Sequence, residues 1–151
     1  MVFYASKEEM ERTLKNVKLS LLSLLLLVPV WACTRAGDSP VKEITVEQVK
    51  MKIADSADVV LLDVRTEGEF KGNLGHLPGA VLIPIQELEN RLNELDEYKN
   101  KEIIVYCRSG NRSGTGAQIL NEKGFNAVNM LGGMIEWNEK YGKPDDTENT
   151  K

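Results

Sequence analysis

The sequence has little of what metal sites and disulfide frameworks are built from. Its 151 residues contain one histidine, His76, and two cysteines, Cys33 and Cys107. Three such side chains cannot by themselves fill a four-ligand structural zinc site, and no spacing of Asp and Glu residues suggests a set that would complete one. We therefore predict no metal site. A Cys–His catalytic pair would have only His76 to draw on.

Positive charge is not in excess either. The chain has 19 Lys and Arg residues against 23 Asp and Glu residues, a net charge of −4 at pH 7, and no sustained basic stripe. Nucleic-acid binding usually leaves such a basic footprint, so we predict no nucleic-acid partner. The hydrophobic fraction of 42% and the length are ordinary for one globular domain with a core of its own.

The longest apolar run falls short of the roughly 20 residues that a membrane-spanning helix needs. It covers residues 19–32, follows Arg12, Lys15 and Lys18, and ends before Cys33. A short apolar segment behind a positive flank is typical of a signal peptide, so residues 1–32 are predicted to be one. The flank is long for that role, which makes Met10 an alternative start of translation.

The end of this segment, Val30-Trp31-Ala32-Cys33, resembles a bacterial lipoprotein box, in which cleavage precedes a lipid-modified cysteine. We predict lipidation of Cys33, and hence an exported protein that is anchored to the membrane in the periplasm or at the cell surface. Three alternatives stay open: ordinary cleavage after Ala32, an uncleaved anchor, and a disulfide of Cys33. A bridge to Cys107 is the least favoured, because it would consume that thiol.

Beyond residue 32 the composition divides the chain into three parts. Residues 33–43 are mostly small and polar and are interrupted by Gly37 and Pro40, which predicts a tether. Residues 143–151 form a polar tail without apolar anchors. The domain itself is predicted to cover residues 44–142.

Apolar spacing inside the domain alternates between two periods. Thr45 and Gln48 have the spacing of a capping box, and the following residues predict a helix over 46–54. Short apolar runs predict strands at 59–62, 81–83, 103–106 and 127–131, and helical spacing predicts helices around Leu88, Leu92 and Leu95 and over 113–123. Strands that alternate with helices indicate an α/β fold with a parallel sheet and helices on both faces.

Cys107 opens a polar loop between a predicted strand and a predicted helix, Cys107-Arg108-Ser109-Gly110-Asn111-Arg112-Ser113. The N–H groups of a short glycine-containing loop can converge on one point, where the helix N-terminus and both arginines favour negative charge. Such surroundings lower a thiol pKa from about 8.5 and so favour the thiolate, a nucleophile that here faces an anion cradle. Asp63 also follows a strand and is expected nearby. A buried, unreactive core thiol is the alternative.

The loop resembles the active-site loop of rhodanese-type sulfurtransferases, in which the cysteine carries a persulfide. The resemblance continues in order and spacing over residues 44–141, through the motifs Asp63-Val64-Arg65, Glu69-Phe70, Gly75-His76-Leu77-Pro78-Gly79-Ala80, and Gly132-Gly133 followed by Trp137. It implies the three-layer rhodanese-like fold and a structural role for His76. Asp63 and Arg65 are expected to support the site by pairing with neighbours, since buried charges must be paired.

The family's mechanism implies a role for each residue of the loop. The Cys107 thiolate takes the outer sulfur of a donor such as thiosulfate, and a thiophilic acceptor, cyanide or a thiol, then takes the sulfur from the persulfide. Backbone N–H groups and two guanidiniums hold the donor's sulfur and oxyanion. The substrate-binding residues implied in this way are Arg108, Ser109, Gly110, Asn111, Arg112 and Ser113. No cofactor or metal is implied.

The sequence departs from the family pattern at two places. Residues 71–74 lengthen by two residues the connection that leads to His76. Gly114 and Gly116 stand in the first turn of the helix after the loop, where alanine is usual, at a cost of about 1 kcal/mol each. The longer connection is expected to reshape the rim of the site. The two glycines are expected to make the loop more mobile.

Two other function classes compete with the sulfurtransferase hypothesis. Cysteine-dependent phosphatases and arsenate reductases also place a cysteine and an arginine around an anion cradle. Four residues separate Cys107 from Arg112 here, one fewer than in the related phosphatases, and the tighter loop suits a single sulfur better than a tetrahedral phosphate. The other competitor is a carrier or binding module for sulfane sulfur that does not turn over.

Overall fold

The structure, a computed structural model, describes residues 40–55 and 58–144. The predicted signal peptide, Cys33, most of the predicted tether and the tail from residue 145 lie outside these ranges. Within the two ranges, no helix is long and apolar enough to cross a membrane. The predicted domain lies almost entirely inside the described part of the chain.

Five strands form one sheet: β1 (Glu43–Ile44), β2 (Val59–Asp63), β3 (Val81–Leu82), β4 (Glu102–Tyr106) and β5 (Asn126–Met130). Their order is β1-β5-β4-β2-β3, and every neighbouring pair is parallel. The four strands predicted from apolar runs are present with slightly different ends. Of the strands in the described residues, only β1 was not predicted, because two residues are too few to show a periodic pattern.

The helices are α1 (Val46–Ala54), α2 (Glu67–Phe70), α3 (Asn111–Glu122) and α4 (Gly133–Tyr141). Thr45 caps α1 in the predicted capping box with Gln48. The helix predicted around Leu88, Leu92 and Leu95 was wrong in type: two 3₁₀ helices cover Leu88–Asn90 and Leu92–Tyr98. They part at Arg91, whose φ of −117° leaves the helical region, and apolar spacing of three and four residues fits both helix types.

Both faces of the sheet are covered. Successive residues of a strand point to opposite faces of the sheet. On one face Leu62 packs with Leu120 of α3. On the other face Ile104 packs with Val49 of α1 and Trp137 of α4. This confirms the three-layer α/β fold. It also explains why the strands are unbroken apolar runs in the sequence, since a strand covered on both faces has no polar side.

The strand order brings two chain segments together at the carboxyl edge of the sheet. β2 pairs with β4, and Asp63 stands in register with Tyr106. The pairing continues past the strands, where the Val64 N–H donates to the Tyr106 carbonyl oxygen at 3.0 Å. Asp63 and Cys107 therefore emerge from neighbouring strands at the edge where open α/β sheets bind ligands.

Candidate active site

Cys107 lies directly after β4 and is only 1% exposed. Gly110, the N-cap of α3, has a φ of 104°, in the left-handed region that favours glycine. In this conformation the Gly110 N–H donates a hydrogen bond to the Cys107 Sγ, 3.2 Å away. The loop therefore wraps around the sulfur atom that it carries.

Ser113, in the first turn of α3, brings a second donor to the sulfur. Its Oγ lies 3.4 Å from the Cys107 Sγ, 3.0 Å from the Gly110 carbonyl oxygen and 2.7 Å from Asn129 Oδ1. Ser113 and Asn129 are both buried. A hydroxyl has one proton and can donate to one of these three acceptors at a time. Because hydrogen bonds to ionised groups are the stronger ones, a thiolate at Cys107 draws that proton to the sulfur.

Two opposing effects set the acidity of the thiol. Burial raises the pKa of the Cys107 thiol, because it disfavours the charged form. Hydrogen bonds from the Ser113 hydroxyl and from the backbone N–H groups of Ser113, Ser109 and Gly110 act the other way. Together they outweigh burial and hold the pKa of the thiol below its ordinary value. The arrangement therefore favours the thiolate, which is the nucleophilic form.

Gly133, the first residue of α4, packs against the carbonyl groups of the Cys107 loop. Its φ is 57°, and a Cβ at this position would lie 2.5 Å from the Cys107 carbonyl oxygen. This close approach lets the N–H groups of Met134 and Ile135 donate to the carbonyl oxygens of Cys107 and Arg108, at 2.9 and 3.0 Å. Helix α4 thus uses two of its N-terminal N–H groups to hold the first two peptides of the loop.

The two arginines of the loop have different surroundings. Arg108 is exposed. Arg112 donates from Nη1 to Glu69 Oε2 at 2.8 Å and from Nη2 to Glu69 Oε1 at 2.7 Å, and both side chains are 33% exposed. This contact, together with hydrogen bonds from Thr66, lowers the pKa of Glu69 to about 2, against the opposing effect of burial. The sequence predicts two guanidiniums facing an anion site, whereas Arg112 holds a carboxylate of its own chain.

Asp63 and Arg65 form a second ion pair, and it is buried. Arg65 Nε lies 2.9 Å from each Asp63 carboxylate oxygen, and Nη2 donates to Asp63 Oδ2 at 2.5 Å and to the Gly75 carbonyl oxygen at 2.7 Å. The Arg65 side chain is 1% exposed and the Asp63 side chain 0%. The pair links the end of β2 to the segment before His76. Nearby, the Tyr106 hydroxyl accepts a hydrogen bond from the Leu77 N–H at 3.1 Å.

His76 packs on helix α2. Its ring stacks on Phe70 with centroids 3.7 Å apart and ring planes 14° apart, and its Nδ1 lies 3.2 Å from the Phe70 carbonyl oxygen. Phe70 follows Glu69, the partner of Arg112. The histidine therefore buttresses the short helix that carries this carboxylate.

Three features of the site were not predicted from the sequence as site residues. Glu69 entered only as part of a family motif, although its spacing from Thr66 is that of a capping box, which the structure shows. Asn129 is a polar residue within an apolar strand run, and a buried amide must find a partner, which is a signal that could have singled it out. The N–H groups of Met134 and Ile135 carry no sequence signal of this kind.

Known proteins resemble this chain over the same region. A model of the family described as "Rhodanese-like domain" matches residues 45–140. The sulfurtransferase of Allochromatium vinosum is 35% identical over 105 residues, which make up 69% of this chain and 94% of that protein. The candidate sulfur carrier protein YrkF of Bacillus subtilis is 40% identical over 103 residues, which make up 68% of this chain and 54% of that protein. The chain therefore spans about half of the length of YrkF. A crystal structure of a rhodanese-like domain protein from Staphylococcus aureus has a TM-score of 0.58 at 36% identity and covers 64% of this chain and 90% of that one.

Proposed function

Because the chain belongs to the rhodanese-like domain family, we propose that it is a sulfurtransferase that moves sulfane sulfur from a donor such as thiosulfate to a thiophilic acceptor. The observation that carries this proposal is the buried Cys107 sulfur, which lies within hydrogen-bond distance of the Gly110 N–H and the Ser113 hydroxyl. A thiolate held in this way is a nucleophile with donors already directed at it, and those donors remain available to the anionic sulfur of a persulfide.

The first half-reaction forms the persulfide. The Cys107 thiolate attacks the outer sulfur of thiosulfate, the sulfur–sulfur bond of the donor breaks, and its electron pair leaves with sulfite. One negative charge on the thiolate and two on thiosulfate become one on the persulfide anion and two on sulfite. Backbone N–H groups of the loop stabilise the terminal sulfur, and Arg108 and Arg112 receive the oxyanion.

The second half-reaction returns the enzyme to its starting state. Cyanide attacks the terminal sulfur, takes it as thiocyanate and leaves the Cys107 thiolate behind. A thiol acceptor instead becomes a persulfide and likewise regenerates the thiolate. Every step uses only the thiol, the loop and the two substrates.

Mass spectrometry tests the proposal directly. Incubation of the protein with thiosulfate and no acceptor is expected to give a protein heavier by one sulfur atom, with the added mass on the peptide that contains Cys107. Cyanide should then remove this sulfur as thiocyanate, and Cys107→Ser, which has no thiolate form near neutral pH, should abolish both steps while it leaves the fold intact. A persulfide that neither cyanide nor a thiol discharges would indicate a sulfur carrier. An unmodified thiol together with phosphate-ester hydrolysis or arsenate reduction would overturn the proposal.

For the cellular location we propose export and a lipid anchor on Cys33, on the evidence of residues 19–33 alone. Lipid chains contribute roughly 0.8 kcal/mol for each buried CH₂ group, so the lipidated protein is expected to partition into a detergent phase. Cys33→Ser should remove this partitioning. Equal partitioning of both forms would favour an uncleaved anchor.

A further inference from the structure

The Nη1–Nη2 edge of the Arg112 guanidinium is occupied. Nη1 and Nη2 each donate to a different oxygen of Glu69, at 2.8 and 2.7 Å, which is the parallel two-bond geometry that arginine also uses for sulfonates and phosphates. An oxyanion that needs the same edge has to displace the carboxylate or share the guanidinium with it. One of the two arginines that the family mechanism assigns to the donor's oxyanion is therefore engaged before any donor arrives.

The carboxylate that occupies this edge is held in place by its own helix. Glu69 is the third residue of α2, and its Oε2 accepts hydrogen bonds from the N–H and the hydroxyl of Thr66, both at 3.2 Å. The Glu69 N–H in turn donates to Thr66 Oγ1 at 3.3 Å, which completes a capping box. These hydrogen bonds hold the Glu69 carboxylate in the position in which it pairs with Arg112. They therefore oppose its displacement by an incoming anion.

The carboxylate is also charged and reachable. The pKa of Glu69 is lowered to about 2, so the group is an anion throughout the neutral range. A third of its surface and a third of that of Arg112 are exposed, so solutes reach the pair. An incoming anion meets this negative charge beside the loop that carries Cys107, and repulsion grows with the charge of the anion.

From these observations we infer that Glu69 is a specificity-determining residue that sets the charge class of the sulfur donor. It disfavours dianionic donors such as thiosulfate and favours sulfane donors that carry at most one negative charge. The inference rests on the proposed sulfurtransferase activity of the same site. Its chemical step is unchanged: the Cys107 thiolate takes the outer sulfur of a monoanionic thiosulfonate, and the electron pair of the broken sulfur–sulfur bond leaves with a sulfinate.

A substitution is available that removes the charge and keeps the local structure. Gln at position 69 retains an oxygen that can accept from Thr66, so Glu69→Gln preserves the capping box. Glu67→Gln is the matched control, because Glu67 lies in the same turn of α2, loses the same charge, and pairs with Lys71 at 2.5 Å instead of with the loop. Any effect of a changed net charge on α2 appears in both variants.

Binding is measured first, without turnover. In a Cys107→Ser background, calorimetric titration with thiosulfate is expected to show roughly fivefold tighter binding when Glu69→Gln is added, the size of effect that a partly exposed ion pair allows. Addition of Glu67→Gln to the same background should leave the affinity unchanged. Equal affinity with and without Glu69→Gln, or weaker binding, would overturn the inference whether or not the wild-type protein transfers sulfur.

Kinetics with two donors of similar shape then separate charge from structure. Thiosulfate carries two negative charges, and methanethiosulfonate carries one. Glu69→Gln is expected to raise kcat/KM for thiosulfate roughly fivefold and for methanethiosulfonate less, so that the ratio between the two donors rises, while Glu67→Gln leaves the ratio at its wild-type value. If Glu69 has a purely structural role, Glu69→Gln lowers kcat/KM equally for both donors. That result would overturn the inference. Absence of persulfide with either donor in every protein would instead contradict the proposed function, and the binding result would still decide the inference.

Discussion

Two arginine–carboxylate pairs lie at the carboxyl edge of the sheet, and burial is the main difference between them. Asp63 and Arg65 are almost fully buried, whereas Glu69 and Arg112 are each a third exposed. Both pairs use two nitrogens of one guanidinium. Water does not reach the buried pair, whose arginine also donates to the Gly75 carbonyl oxygen, so the pair acts as a fixed link. Water and solutes can replace either member of the exposed pair. The same two functional groups therefore serve the fold in one place and recognition in the other.

The largest expected difference between the pairs is in stability. Asp63→Asn leaves the Arg65 guanidinium buried beside an uncharged amide, and we expect the free energy of unfolding to fall by about 3–5 kcal/mol. Glu69→Gln should cost at most about 1 kcal/mol, because its partner can turn to water. Urea denaturation of the wild type and both variants measures this. Similar losses in the two variants would contradict the division of the pairs into a structural and an exchangeable one.

Arg112→Ala is expected to act on the chemistry more than on the fold. We expect kcat/KM for thiosulfate to fall about tenfold to a hundredfold, since the donor loses a charged hydrogen-bonding partner. The pKa of the Cys107 thiol should rise, because Arg112 and the thiolate attract each other. The pH dependence of persulfide formation measures this shift, and urea denaturation should show little change. An unchanged pH–rate profile would count against a role for Arg112 at the sulfur.

The smallest expected effect is the acid dependence of the exposed pair. The pKa of Glu69 is lowered from 4.5 to about 2 in the folded protein, so its contribution to stability is fully present above pH 4.5 and is lost as the pH falls toward 2. The difference in unfolding free energy between the wild type and Glu69→Gln should therefore shrink between pH 5 and pH 3. It should also shrink at high salt, which screens exposed charges. A difference that persists under both conditions would indicate that the carboxylate stabilises the fold by something other than its charge.

Local patterns predicted the elements that build the site. Apolar runs located β2 and β4, and the capping box located the start of α1, because burial on two faces and the N-terminal hydrogen bonds of a helix both leave signals within a few residues. The Cys107 loop was found for the same reason: the thiol, the glycine and the arginines stand together in the chain. The segment around Arg91 was predicted with the wrong helix type, since its leucine spacing satisfies either one.

The cysteine loop is predictable because its residue types stand together in one short segment, and the parallel sheet is predictable because apolar strand runs alternate with helical spacing along the chain. Which groups meet that loop depends on contacts between segments that lie far apart in the chain. Glu69 reaches Arg112, Asn129 reaches Ser113, and Gly133 approaches the Cys107 carbonyl only because strand order and helix packing bring distant segments into contact. A linear pattern records the type and spacing of residues, whereas these contacts depend on strand register and on how closely separate helices and strands pack.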